Sequence, residues 1–392
     1  MRSLRSLLIA AAGALLAGCQ TAPPPVAPAP AAFTQVGWDA LPGWRDDRPD
    51  AAWPALLIGC RKLVAAPRTQ ATWQRPCQAA AAVDGNDARA VRSYFETHFR
   101  PWRIAGADGA DTGLVTGYYE PLLRGSRNAT PAFGVPLYAA PDDLLTIDLA
   151  ELYPELKGKR VRGRVDGHRV VPYWPRADID AGRAPLAGKA LAYVADPLDA
   201  FFLEVQGSGR ITLDDGALLR LGYADQNGHP YRSIARVLVD RGELTLERAS
   251  KQSIEDWARA HPTELQALLD TNPSYVFFRV VPPPAPGTLE ARIDGPQGAF
   301  GVPLLAQRTI AVDPQAIPLG APVYLATTYP QDERPLARLT LAQDTGGAIR
   351  GTVRADFFWG TGEAAGRDAG RMRQPGRLWL LWPVDAAPPA PQ

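Results

Sequence analysis

The chain has 392 residues, with 42 Lys and Arg against 41 Asp and Glu, a net charge of +1 and a hydrophobic content of 46%. So even a balance excludes the basic face that nucleic-acid binding needs, and the length leaves room for two domains with a sizeable core. The four histidines, His98, His168, His229 and His261, are too scattered for a zinc-site spacing, so no metal is expected.

In chain order, "MRSLRSLLIAAAGALLAGC" comes first. Arg2 and Arg5 give it a positive start, and Leu7 to Leu16 form an apolar run too short to span a bilayer. The end, Leu16-Ala17-Gly18-Cys19, resembles the lipobox of bacterial lipoproteins, which implies removal of residues 1–18 as a signal peptide and a lipid on Cys19. Gln20 stands where an inner-membrane retention signal usually has aspartate, so an outer-membrane anchor facing the periplasm is expected. Residues 19–32 are a proline-rich tether that cannot form helix or sheet, and residues 386–392 are a proline-rich tail.

Cys60 and Cys77 remain once Cys19 carries lipid. In an oxidising compartment they are expected to pair, with two free thiols as the alternative. The second half of Ala80 to Phe99 reads as a helix capped by Asp84 or Asn86, with Val91, Tyr94, Phe95 and His98 on one face. Beyond it the runs 113–126, 189–231 and 299–327 read as short strands broken by Gly, Pro and Asp-Gly. The "DDG" at 214–216 and "QNG" at 226–228 are hairpin signals, and His229 reads as a turn or groove residue. Helices are expected at Tyr231 to Arg241 and from Thr245, as N-cap, to about Asp270. Many strands with few, irregularly placed helices argue for a mainly β protein built on barrels. Val280 to Gly298 reads as a crossover, and a boundary near 136–143 would make the middle segment an insertion.

Chemistry must then come from carboxylates. A G-x-S-x-G elbow is absent, "QGSGR" at Gln206 to Arg210 being a near miss, and no cysteine stands beside a histidine. Neither phosphate-binding glycine loop occurs, so no cofactor is expected. Asp313, Asp344 and Asp356 each follow a β-type run, whereas Asp368 reads as a turn residue. A carboxylate beside Phe357, Phe358 and Trp359, with a second one close by, would be disfavoured as an anion and hold its proton near neutral pH. That is what an acid for a glycosidic oxygen requires. Each aspartate also fits a turn former bonded to its own backbone. Tyr118, Tyr119, Tyr223, Phe277 and Trp359 are either faces for sugar rings or core residues.

Together "TGYYEP" (116–121), "FFLEVQGSGRI" (201–211), "GYADQNGHPYRSIARVLVDRGE" (222–243), "NPSYVFF" (272–278) and "AQDTGGAIRG" followed by "ADFFWGTGEAAGRDAG" resemble the membrane-bound lytic murein transglycosylase A family over nearly all of the mature chain. The resemblance implies a double-psi β-barrel (33–138 and 283–385) with a β-rich domain (139–282) inserted and a groove between them. It implies a non-hydrolytic, exo-acting lyase that cleaves the β-1,4 bond between N-acetylmuramic acid and N-acetylglucosamine in peptidoglycan. Asp356 would be acid and then base, Asp344 its neighbour and Asp313 a supporting residue. Thr116, Tyr118, Gln206, Gly207, Ser208, Gly209, Tyr223, Arg232 and Trp359 would bind glycan. Glycan strands are the expected partner, with other wall enzymes as further ones, for a monomer. A wall-binding lipoprotein without activity and a hydrolytic glycosidase stay open as alternatives.

Overall fold

The computed structural model describes residues 32–156, 159, 161–246 and 249–387, so the signal segment, Cys19, the tether to residue 31 and the end of the tail lie outside it. Strand β1 (Ala32–Gln35) leads through helices α1 (Trp53–Ala65), α2 (Pro67–Ala80) and α3 (Ala88–His98) to β2 (Phe99–Ala105) and β3 (Gly113–Glu120). The middle of the chain holds β4 (Leu122–Ser126), β5 (Val135–Tyr138), β6 (Leu145–Thr146), β7 (Arg162–Asp166), β8 (Arg169–Pro172), α4 (Arg176–Asp180), β9 (Ala190–Val194), α5 (Pro197–Gln206), β10 (Ser208–Leu213) and β11 (Leu218–Gln226). Helices α6 (Ile234–Asp240), α7 (Lys251–Ala260) and α8 (Leu265–Leu269) follow, then β12 (Val276–Val280). The last part is β13 (Thr309–Val312), β14 (Pro322–Thr328), β15 (Pro335–Asp344), β16 (Arg354–Thr361), α9 (Gly362–Arg371) and β17 (Arg373–Pro383).

Two large sheets organise these elements. The first runs β1-β2-β17-β14-β15-β13-β16-β3, and a further β17–β3 pairing closes its last six strands into a ring. Within the ring β13 runs parallel to β15, and β16 parallel to β3. Strands β13 and β14 and the second half of β17 are buried on both faces, as at Val323, Tyr324 and Leu325 or Leu378 to Leu381, which is why they read as near-continuous apolar runs. Helices α1 to α3 close one side of this core with Trp53, Leu56, Trp73 and Phe95.

Cys60 and Cys77 are bridged, with Cα atoms 5.4 Å apart, tying α1 to α2. The bridge spans a sequence separation of 17, and closing such a loop stabilises the fold by about 3 kcal/mol through the unfolded chain. These two helices escaped the sequence reading, because Pro54, Pro67 and Pro76 punctuate them. Pro54 and Pro67 occupy first-turn positions, where a missing N–H costs nothing. The cap of α3 is Asp87, whose carboxylate accepts from the N–H groups of Arg89 and Ala90, and not Asp84 or Asn86.

The second sheet runs β12-β11-β10-β4-β9-β5. The chain enters it at Pro121, so β4 and β5 already belong to it, well before the expected boundary at 138, and it leaves after Val280. Asp214, Asp215 and Gly216 form the β10–β11 hairpin turn, but the second turn signal is not a hairpin: Gly228, at φ 83°, leads from β11 toward α6. Residues 197–206, read as strand, are helix α5, with Pro197 in its first turn and Asp196 accepting from Leu198 N–H. The one long helix expected over 245–270 is two, α7 capped by Ser250 and the short α8. Ser233 caps the helix before them, so α6 begins at Ile234 and not at Tyr231. Leu198 and Phe201 of α5 pack with Ile234, Leu238, Ile254, Trp257 and Leu268 into a separate helical core.

Candidate active site

One row of residues crosses the ring. Ala311 of β13 faces Asp344 of β15 on one side and Asp356 of β16 on the other, and Asp356 faces Thr116 of β3. Side chains opposite each other across neighbouring strands share a face, so this pairing, with a register shift between Ile310 and Ala311 in the β13–β15 ladder, brings the two acids to either side of a small Ala311. Asp344 ends β15, whereas Asp356 is the third residue of β16 and stands within a strand, not at its end.

The two carboxylates are held differently. Asp344 Oδ1 accepts from the N–H groups of Ala299 (2.8 Å) and Thr345 (2.9 Å), and its Oδ2 accepts from the Tyr118 hydroxyl (3.0 Å). Asp356 Oδ1 accepts from the Thr116 hydroxyl at 2.5 Å, and its Oδ2 has no hydrogen-bond partner among the described residues. Burial pushes the Asp356 carboxyl up to about 6, against Thr116 and the Arg354 charge, and the Asp344 charge adds to the rise. Burial also raises Asp344, but its three donors favour the anion and oppose that. Tyr118 is raised well above its ordinary value by burial and by both carboxylates, so it stays a neutral donor.

The aromatic triplet after Asp356 divides between the two faces of β16. Phe358 shares the face of Asp356 and packs on Tyr118, with ring centres 5.1 Å apart. Phe357 and Trp359 point into the core instead, with ring centres 5.1 Å apart. Trp359 is 5% exposed and donates its indole N–H to Met372 Sδ, so it offers no face to a sugar, contrary to the expectation. Phe277 is likewise fully buried.

Asp313 is 2% exposed and does not meet the pair through its carboxylate. Its Oδ1 accepts from Gln315 N–H and its Oδ2 from Gly351 N–H, which fastens the glycine turn after β15 to the end of β13. Asp368 lies inside α9, not in a turn.

From the second sheet, Gln206 Oε1 accepts from Tyr119 N–H at 3.1 Å, which brings the end of α5 against β3. Gly207 ends α5 at φ 77°, a conformation that favours glycine. A Cβ on Gly209 would stand 2.2 Å from Leu203 Cδ1, so this glycine lets α5 lie close on β10. Both glycines therefore have backbone reasons for their place. Ser208 opens β10, Tyr223 is half-buried in β11, and Arg232 is exposed with its N–H on Asn272. His229 bonds the Tyr173 carbonyl through Nε2 (2.7 Å), a long-range contact inside the second domain.

Sequence reasoning missed two groups here. Arg354, two residues before Asp356 and on its face, donates through Nη2 to Thr116 Oγ1 at 2.8 Å. At the crossing between sheets, Glu120 accepts from Arg210 Nε and from Thr361 Oγ1, each at 2.8 Å, while Arg210 also reaches Asp294. Glu120 and Arg210 are nearly fully buried, so this brace fixes the second sheet to the ends of β3 and β16. Neither is legible from spacing, since each joins residues far apart in the chain. Among the described residues no group of His, Cys, Asp and Glu could hold a metal ion, and no helix is long and apolar enough to cross a membrane.

The MltA specific insert domain family matches residues 114–279, and the 3D domain family matches residues 308–382. The membrane-bound lytic murein transglycosylase A of Escherichia coli (strain K12) is 33% identical over 305 residues, 76% of this chain and 72% of that protein. The crystal structure of MltA from Neisseria gonorrhoeae is 36% identical, with a TM-score of 0.79 over 91% of this chain and 94% of that one. The E. coli MltA structure with bound chitohexaose is 28% identical, with a TM-score of 0.65 over 90% of this chain and 94% of that one.

Proposed function

We propose that this chain, which belongs to the membrane-bound lytic murein transglycosylase A family and is a peptidoglycan lytic transglycosylase, cleaves glycan with Asp356 as its only proton-transferring group. The observation that carries this reading is the inequality of the acid pair. Asp344 has its oxygens committed to three donors, whereas Asp356 has an Oδ2 without a hydrogen-bond partner among the described residues and a carboxyl raised to about 6. Only Asp356 both holds a proton near neutral pH and has an oxygen to deliver it.

The chemistry then follows in two transfers. Asp356 Oδ2 gives its proton to the glycosidic oxygen between N-acetylmuramic acid and N-acetylglucosamine as the bond from that oxygen to the anomeric carbon breaks. The muramic 6-hydroxyl oxygen attacks that carbon and its proton passes to the Asp356 carboxylate, which restores the acid and leaves a 1,6-anhydro end. No water is consumed. The Asp344 carboxyl, whose three donors favour the anion, lies beside the positive charge that develops on the sugar ring and stabilises it. A glycan strand fits between the ring and the second sheet, with Thr116 and Tyr118 on one wall and Gln206, Ser208, Tyr223 and Arg232 on the other. We read the ring as a double-psi β-barrel and the protein as lipid-anchored through Cys19 at the outer membrane, facing the periplasm.

The expected pH profile tests the assignment. Release of anhydro-muropeptides from purified sacculi should fall about tenfold per pH unit above a limb near 6, where Asp356 loses its proton. A rate that stays flat from pH 6 to 8 with the protein folded would contradict it.

A further inference from the structure

We propose that Arg354 is a positioning residue, acting through the Thr116 hydroxyl to dictate which oxygen of Asp356 carries the catalytic proton. The inference rests on the reading of Asp356 as acid and base. Arg354 Nη2 lies 2.8 Å from Thr116 Oγ1, and Thr116 Oγ1 lies 2.5 Å from Asp356 Oδ1. A guanidinium only donates, so the threonine oxygen must accept from Arg354. Its single proton then points at Asp356 Oδ1.

Two consequences follow. With Oδ1 occupied as an acceptor, the carboxyl proton sits on Oδ2, the oxygen without a partner among the described residues. When that proton leaves, the new carboxylate meets a hydroxyl already turned toward it and polarised by a cation, so nothing has to reorganise during the reaction. Arg354 is itself held in place: its Nη1 donates to the carbonyls of Ala355 and Leu114. The side chain is half-buried, which limits screening of its charge by solvent. Among the described residues, Arg354 is the cation that acts on the Asp356 carboxyl.

The test compares pH profiles of anhydro-muropeptide release by the wild type, Arg354→Met, Arg354→Lys and Thr116→Val. Arg354→Met removes the charge and the orientation of the hydroxyl, so the alkaline limb should move up by about one pH unit and kcat at its optimum should fall by ~10-fold or more, with KM little changed. Arg354→Lys keeps a charge but not the fork geometry, so the limb should return toward the wild-type pH while kcat stays low. Thr116→Val should lower kcat as Arg354→Met does. A limb that stays in place in Arg354→Met, or a change confined to KM, would overturn the proposal. If Arg354→Met does not fold, an Arg354→Lys variant with wild-type kcat would overturn it equally. Asp356→Asn separates the two readings. An active Asp356→Asn defeats the assignment of Asp356 itself, whereas an inactive one beside an unmoved Arg354→Met limb defeats only the role of Arg354.

Discussion

Asp356→Asn is expected to abolish anhydro-muropeptide release, by about 10³-fold or more, while making the protein more stable at neutral pH. The loss follows because one residue carries both transfers. An amide can neither donate a proton to the leaving oxygen nor take one from the 6-hydroxyl. The gain in stability follows from the same burial that makes the group useful. The folded carboxyl is raised to about 6 from an ordinary value of 3.8, so between those pH values the folded state binds a proton that the unfolded chain has released. Stability therefore falls as pH rises from 4 to 6 and levels off above, where the penalty of burying the anion is complete. Asn carries no such penalty, so above pH 6 Asp356→Asn should exceed the wild type by about 1–3 kcal/mol, with the gap closing below pH 4. Urea unfolding at several pH values measures it, and a gap that does not change with pH would contradict the assigned cause.

Helix α5, which carries Gln206 and ends just before Ser208, is held by a buried ion pair. Glu204 of α5 is 7% exposed and accepts from Arg176 through both oxygens, at 3.0 and 2.7 Å, and from Val276 N–H at 2.9 Å. Burial raises its carboxyl even against the Arg176 charge. The arginine also donates to the Ser274 carbonyl and lies over the rings of Phe201 and Tyr275. Arg176→Leu would leave Glu204 buried and unpaired, so the second domain should lose about 3–5 kcal/mol. Arg176→Leu with Glu204→Leu should recover most of that, because two apolar side chains replace the pair. A single variant that loses under ~1 kcal/mol would show that the pair does not hold α5 in place.

How far the sequence could be read depends on how local each signal was. Asp344 and Asp356 stood out as candidates because each follows a β-type run in a glycine-rich stretch, although Asp356 lies inside a strand and only Asp344 ends one. The strand alternation that sends Phe357 and Trp359 to the core and Phe358 to the acid was available too, but only once the run was known to be one continuous strand. Helix α5 was hidden because Phe201, Phe202 and Val205 look like strand residues, although Asp196 and Pro197 announce a helix start. Helix α9 was hidden for the opposite reason. "GEAAGRDAGR" has poor helix propensity, yet it packs on β3 so closely that a Cβ on Gly366 would lie 2.8 Å from the Tyr119 ring and one on Gly117 2.9 Å from Ala369 Cα. Tertiary contact selects small residues there at the expense of propensity. The Thr116–Asp356 pairing, the Ala299 contact on Asp344 and the Glu120–Arg210 brace join positions too distant in the chain for any pattern to reveal.

Asp356 works without a second carboxylate to activate water, since Asp344 is committed to Ala299, Thr345 and Tyr118. Digestion of purified sacculi in ¹⁸O-enriched water, read by mass spectrometry, tests this directly. The predicted result is muropeptides with 1,6-anhydro ends and no ¹⁸O. Reducing ends carrying ¹⁸O would contradict it.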